Sequence, residues 1–215
     1  MRIIAGTLRG RKLLSPKDDQ TTRPITDRVK QSLFDRLWSM GALPEDPSEP
    51  AGCVWDIFCG TGSLGLEALS RGAETCLFVE QDRDALERLQ RNIDNLDLAE
   101  QARVLRTNAL ATHWLTQAAG GRPDLVFLDP PYALVTEPSD WARVEALMRE
   151  IAAVANERAV LVLRTPREFA GVAVAGWRGP MSHEVGSMTV HVYELEVEEG
   201  GDAEGEGDAD TGAPE

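Results

Sequence analysis

The sequence predicts an α/β chain: a mostly parallel, seven-stranded sheet with helices on both faces and an antiparallel last strand. Three observations carry that expectation. From Val54 onward, short apolar runs alternate with stretches whose apolar residues recur at helical spacing, the pattern of repeated βα units with right-handed crossovers. The loop Gly60-Thr61-Gly62-Ser63-Leu64-Gly65 follows the first of those runs and opens a helix. The last two strand signals have no clear helix between them, so a hairpin there turns the final strand against the others.

Taken in order, Val29, Leu33, Phe34, Leu37 and Trp38 mark a first helix, with Thr26 or Asp27 as its cap and Gly41 as its stop. Leu43 to Pro50 reads as a proline-punctuated linker. Val54 to Phe58 is the first expected strand, Leu64 to Ser70 a helix stopped by Arg71-Gly72, and Thr75 to Glu80 the second strand. Leu86, Leu89, Ile93 and Leu96 lie on one face of the next helix. Ala102 to Thr107 gives a third strand and a helical stretch runs through Trp114 and Leu115. Leu125 to Leu128 is the fourth strand, Trp141 to Val154 a helix, and Ala159 to Arg164 the fifth strand. Val172 to Trp177 and Thr189 to Glu196 complete the seven.

Composition bounds what this chain can do. At 215 residues, 42% hydrophobic, it suits one domain of ordinary core size, and no apolar run nears the roughly 18 residues of a membrane span. The start, Met1 to Gly6, is soon interrupted by Arg9 and Arg11, unlike a signal peptide. Cys53, Cys59 and Cys76 are an odd count without a C-x-x-C pair, which points to reduced thiols and a cytoplasmic protein. His113, His183 and His191 lack metal-ligand spacing, and no metal is expected. A monomer is the expected state.

The net charge of −14 is unevenly placed. Residues 198–215 hold eight acids and no base, a segment with too little apolar surface to fold. Residues 1–30 hold eight bases against three acids. An acidic protein with a basic arm suggests a polyanion at that arm, although chance clustering on a solvated surface has the same look. Three regions follow: a basic extension with one helix and linker over 1–50, the main domain over 51–197, and an acidic, disordered tail over 198–215.

Gly60, Gly62 and Gly65 form a G-x-G-x-x-G, and Glu80 stands twenty residues after Gly60 at the end of the next strand. That is formally a dinucleotide fingerprint, so an NAD-dependent dehydrogenase must be weighed. Asp56, inside the strand Asp56-Ile57-Phe58, argues otherwise. Its carboxylate would repel a pyrophosphate at the loop but attract an ammonium or sulfonium. S-adenosylmethionine carries both cations and no phosphate. Glu80 can accept from both its ribose hydroxyls, and Asn108-Ala109 after the third strand suits its adenine edge.

Asp129-Pro130-Pro131-Tyr132 follows the fourth strand, at the sheet edge where ligands of such folds bind. An exocyclic base amine is a poor nucleophile because its lone pair is delocalised into the ring. Asp129 and the Pro130 carbonyl can accept its two hydrogens, proline offers no competing N–H, and Tyr132 can stack on the base. Alone, the tetrad would pass for a Pro-Pro turn. Beside the glycine loop it points to methylation of an amine.

The tetrad is similar to the motif of amino methyltransferases acting on adenine N6, cytosine N4, guanine N2 and protein glutamine. The narrower resemblance lies elsewhere. Arg2-Ile3-Ile4-Ala5-Gly6, Arg9-Gly10-Arg11-Lys12-Leu13 and Arg23-Pro24-Ile25-Thr26-Asp27-Arg28-Val29-Lys30 resemble the amino-terminal signature of the RsmD-like 16S rRNA guanine-N2 methyltransferases. Leu64 to Ala73 and Phe78-Val79-Glu80-Gln81-Asp82 continue it. The resemblance spans residues 1–196 and leaves out the tail. It implies a Rossmann-like class I methyltransferase fold acting on a guanine of 16S rRNA, as naked RNA or in the small ribosomal subunit. Its implied cofactor set is Arg28, Asp56, Phe58, Gly60, Gly62, Gly65, Glu80, Gln81, Asn108 and Ala109, with Asp129, Pro130, Pro131 and Tyr132 catalytic. Arg9, Arg11, Lys12 and Arg23 would meet RNA, while Arg28 and Lys30 also read simply as solvated helix residues. Asn108 departs from the acid many relatives carry there. An adenine-N6 or protein-glutamine methyltransferase stays open as an alternative.

Overall fold

In the computed structural model, which describes residues 1–16, 25–44, 46, 52–117 and 121–197, one sheet organises the chain. Helix α1 (Asp27–Ser39) precedes β1 (Cys53–Ile57), α2 (Ser63–Ser70), β2 (Thr75–Glu80), α3 (Arg83–Leu96) and β3 (Ala102–Arg106). A 3-10 turn (Thr112–Gln117) leads to β4 (Leu125–Leu128), α4 (Ala133–Thr136), α5 (Pro138–Val154), β5 (Val160–Pro166), β6 (Trp177–Val185) and β7 (Met188–Leu195). The seven strands lie in the order β3-β2-β1-β4-β5-β7-β6. β1 to β5 pair in parallel, and β7 runs antiparallel to both β5 and β6.

β1, β4 and β5 are buried along their whole length because helices cover both faces, which is why they read as unbroken apolar runs. Side chains alternate between two cores. Val54, Phe78 and Phe127 belong to one, beneath α1 and α2; Trp55, Ile57, Val126 and Leu128 belong to the other, with α5. Phe34 of α1 meets Phe127 at 5.6 Å between ring centroids. No helix among the described residues is long and apolar enough to cross a membrane.

The amino-terminal arm doubles back on itself. Arg2 bridges Lys12, Ile3 N–H donates to the Arg11 carbonyl at 2.9 Å, and Gly10 N–H donates to the Ile3 carbonyl at 2.9 Å. Ile3 and Leu13 are buried in the same core as α1, and the arm lies along α2. Glu67 of α2 accepts from Ile4 N–H (2.9 Å) and Ala5 N–H (3.0 Å), and Thr7 N–H donates to the Ser70 carbonyl at 2.7 Å. Gly6 is indispensable here: its φ is 79°, and a Cβ would fall 1.7 Å from the Ser70 carbonyl oxygen.

Most expected elements form within a residue or two of their expected ends. Thr26 is the α1 cap, accepting from Val29 N–H at 3.3 Å. Three details differ. The expected strand at 172–177 is displaced: β6 occupies Trp177–Val185, and Val174 makes only an isolated bridge to Trp177. As an edge strand that is mostly exposed and contains Pro180, β6 has no apolar alternation to betray it. Trp38, expected on the buried stripe of α1, is 53% exposed, and Leu37 closes that stripe. Phe58, expected as the last residue of the first strand, lies outside it with φ 59°. Of the linker read over Leu43 to Pro50, residues 45 and 47–50 lie outside the described residues, as does the tail from 198.

Candidate functional site

The strand order reverses direction between β1 and β4, so their carboxyl ends open a crevice at the topological switch point. β1 delivers the loop from Phe58 to Gly62 to that edge, β2 delivers Glu80, and β4 delivers Asp129 to Tyr132.

The loop is held open by left-handed backbone. Phe58, Gly60 and Gly62 have φ of 59°, 54° and 82°. Such a conformation is unfavourable for phenylalanine, and strain of this kind collects at functional sites. A Cβ on Gly60 would meet nothing within 4 Å, so this backbone faces open space. The other two glycines serve packing: a Cβ on Gly62 would fall 2.4 Å from Leu89 Cδ1, and one on Gly65 would fall 2.4 Å from Phe78 Cε1. Gly65 thereby lets α2 lie close on β2.

Glu80 ties the loop to the strand edge. Its Oε2 accepts from Gly60 N–H at 3.0 Å, and its Oε1 accepts from Gln81 N–H (2.8 Å) and Asp82 N–H (2.9 Å). Gln81 itself is exposed. Asp56 is buried behind the loop, where Oδ2 accepts from Gly65 N–H at 2.8 Å. Burial pushes its carboxyl up to about 8; the Gly65 hydrogen bond opposes this, while the charges of Asp129 and Glu80 add to it. After β3, Asn108 is exposed and its Oδ1 accepts from Leu110 N–H at 3.0 Å, while Ala109 is buried. Arg28 is exposed at the start of α1.

At the end of β4, Asp129 N–H donates to the Ile57 carbonyl at 3.2 Å, linking the tetrad to β1. Asp129 Oδ1 lies 2.9 Å from Arg164 Nε. Burial raises the Asp129 carboxyl from its ordinary value, against the pull of Arg164. Pro130 is buried, Pro131 exposed and Tyr132 half-buried at the start of α4. The Tyr132 hydroxyl is shielded from solvent and finds no hydrogen-bond partner among the described residues.

Sequence reasoning did not single out Arg164 or Glu67. A charged residue ending the apolar run Val160-Leu161-Val162-Leu163 at the ligand edge was the available signal for the first. Lys30 is not solvated, and its Nζ lies 3.4 Å from Ser63 Oγ, just behind the glycine loop. It is fully buried, 3.1 Å from Glu67 Oε2, and donates to the Arg2 carbonyl at 2.7 Å. Of the arm's bases, Arg9, Arg11 and Lys12 are exposed, though the Arg11 guanidinium also donates to the Asn95 carbonyl at the end of α3. Arg23 lies outside the described residues.

The sheet order with its antiparallel β7, and the glycine loop at its switch point, define the Rossmann-like fold of class I methyltransferases. Residues 1–194 match the family described as conserved hypothetical protein 95, and the chain belongs to that family, the RsmD family. It is 34% identical over 212 residues to ribosomal RNA small subunit methyltransferase D of Escherichia coli strain K12, covering 98% of this chain and 94% of that one. It is 39% identical over 133 residues to the putative rRNA methyltransferase YlbH of Bacillus subtilis, covering 61% and 67%. Among solved structures, the putative methyltransferase yhhF from Escherichia coli superposes with a TM-score of 0.70 at 31% identity, covering 91% of this chain and 98% of that one.

Proposed function

We propose that this protein transfers the methyl group of S-adenosylmethionine to the exocyclic N2 of one guanine in 16S rRNA. The observation that carries this reading is the juxtaposition, at one switch point, of the Asp129 tetrad with the open Gly60 loop. Its relatives named for small-subunit rRNA support RNA as the substrate class.

The residues present fit that cofactor. Asp56, Glu80 and Asp129 bring three carboxylates to one edge, with Arg164 the cation acting on Asp56 there. Such an edge favours a cationic ligand over a pyrophosphate. When bound, S-adenosylmethionine supplies an already activated methyl on its sulfonium, so no metal is invoked. Gly60 lets the loop backbone approach the ligand. Glu80 already accepts three backbone amides, two on Oε1 and one on Oε2, which leaves Oε2 free to accept from a ribose hydroxyl. Asp56, protonated near neutral pH in the free protein, gives up its proton to become the buried negative charge when the cation binds. Asn108 and Ala109 border the adenine, and Arg28 is the exposed α1 residue proposed to close over the cofactor.

On the other side, Asp129 and the Pro130 carbonyl accept the two N–H hydrogens of the guanine amine and hold its lone pair towards the methyl group. Fixed proline geometry keeps these acceptors in the near-attack arrangement. As the new N–C bond would form and the methyl–sulfur bond of the donor break, leaving a neutral thioether, the amine would give up one proton, for which the Asp129 carboxylate is the acceptor. Tyr132 stacks on the base, which unstacks from its own helix to enter. Arg9, Arg11, Lys12 and Arg23 neutralise phosphates. The division at residues 50 and 197, a monomeric state and a cytoplasmic location belong to the same proposal.

The test is direct. Small ribosomal subunits from a strain lacking the enzyme are incubated with methyl-labelled S-adenosylmethionine, and the modified nucleoside is mapped. Label on one guanine N2 of 16S rRNA is the expected result. Label on adenine or protein would move the target, and no label in RNA would sink the proposal.

A further inference from the structure

The ion pair at the end of β4 points to a further functional residue. In the parallel ladder Leu128 pairs with Leu163, so Asp129 and Arg164 are the next residues along adjacent strands. Arg164 remains inside β5, one residue past its last pair with β4, and lies opposite Val190 of β7, so the antiparallel ladder fixes its backbone. It is only 8% exposed, and its Nε lies 2.9 Å from Asp129 Oδ1. A planar guanidinium held this way fixes the direction of a carboxylate in a manner that a flexible ammonium cannot.

Resting on the function proposed above, we propose that Arg164 is a positioning residue for Asp129: it aims the carboxylate at the amine and keeps it in the anionic, accepting state. Asp129 needs such support. It sits where burial favours its protonated form, and a protonated carboxyl could neither take the amine proton nor present two acceptor oxygens. Among the described residues, Arg164 from β5 is the charged group acting on Asp129, and Asp56 from β1 feels the charge of both. A purely structural ion pair would hold the strand ends together and do nothing else.

The two roles separate experimentally in Arg164→Met and Arg164→Lys. If Arg164 positions Asp129, R164M lowers kcat roughly 10- to 100-fold, the loss expected when a guanidinium in close ion-pair contact is removed from a reacting carboxylate. KM for the RNA stays nearly unchanged, and the acid limb of the kcat–pH profile moves to higher pH. R164K returns that limb towards its original position and recovers part of kcat. Asp129→Asn and the Asp129→Asn/Arg164→Met double variant have nearly equal rates, because the pair acts as a unit. Independently of turnover, the Asp129 side-chain carbon resonance, identified by its loss in D129N, titrates at higher pH in R164M than in the wild type. An unmoved titration overturns the proposal, as does an R164M variant with unchanged kcat and acid limb. A wild-type enzyme that methylates no guanine would instead overturn the functional reading, and the titration would still decide the role of Arg164.

Discussion

Asp56 is a buried carboxylate that accepts from a backbone amide. Its carboxyl titrates near 3.8 when unfolded and is raised to about 8 in the fold, so the native state holds the proton more tightly. The stability this contributes is complete below the unfolded value and is lost as pH rises from there through about 8. Asp56→Asn keeps an acceptor for Gly65 N–H but removes the charge. We expect it to raise the melting temperature near neutral pH and to flatten part of the decline above pH 4. The same variant should bind S-adenosylmethionine more weakly, and the wild type should release a proton on binding at pH 7. Calorimetry in buffers of different ionisation enthalpy checks this; binding without proton release would show that Asp56 is already charged in the free protein. At Asp129 the expectation differs. Asp129→Ala should abolish transfer while leaving cofactor affinity largely intact, and a collapse of affinity in equilibrium dialysis would reassign Asp129 to the cofactor pocket.

Helix α2 is the element that joins the two halves of the proposed machinery. Its amino end follows the Gly60 loop, and its Glu67 gathers Lys30 from α1, Arg71 at 2.9 Å and two backbone amides of the arm. Burial lowers the Lys30 ammonium from its ordinary value, and Glu67 offsets that cost. Removing one partner leaves the other as an uncompensated buried charge. Glu67→Ala should therefore cost about 3–5 kcal/mol of stability, read by denaturant unfolding. Lys30→Met/Glu67→Gln, which removes both charges together, should cost less than either single change. If the costs simply add, the pair is not coupled. The glycines of the loop make a matching contrast. Gly65→Ala should destabilise α2 against β2, because Phe78 and Cys76 leave a Cβ no room. At Gly60 the obstacle is the positive φ and the approach of a ligand, not packing.

For the molecule as a whole, charge is divided between a basic arm and an acidic remainder. Arg9 and Lys12 are exposed on that arm, which is pinned to α2 and so stands in a fixed place relative to the loop. Replacing both by Gln should weaken RNA binding uniformly across sequences. It should also reduce the slope of log affinity against log salt by roughly 0.7–0.9 for each phosphate that is no longer neutralised. Filter binding over a salt series measures this; an unchanged slope would remove the two residues from the interface.

Much of this was legible in the chain. The βα alternation implied the sheet because buried parallel strands must be apolar on both faces, and the Gly60 loop, Glu80 and Asp129 tetrad announced themselves by standing at strand ends. Edge strand β6 was not legible, since solvent on its exposed side imposes no pattern. Sequence by itself therefore determined the fold class, the family and the candidate residues for the proposed chemistry, because those depend on local order and spacing. Only the tertiary structure decided which charges meet. Arg164 reaches Asp129 because β5 lies beside β4, and Lys30 reaches Glu67 because α1 and the arm cover α2. Pairings of this kind follow from the order of strands and the seating of helices, which no local stretch of residues specifies.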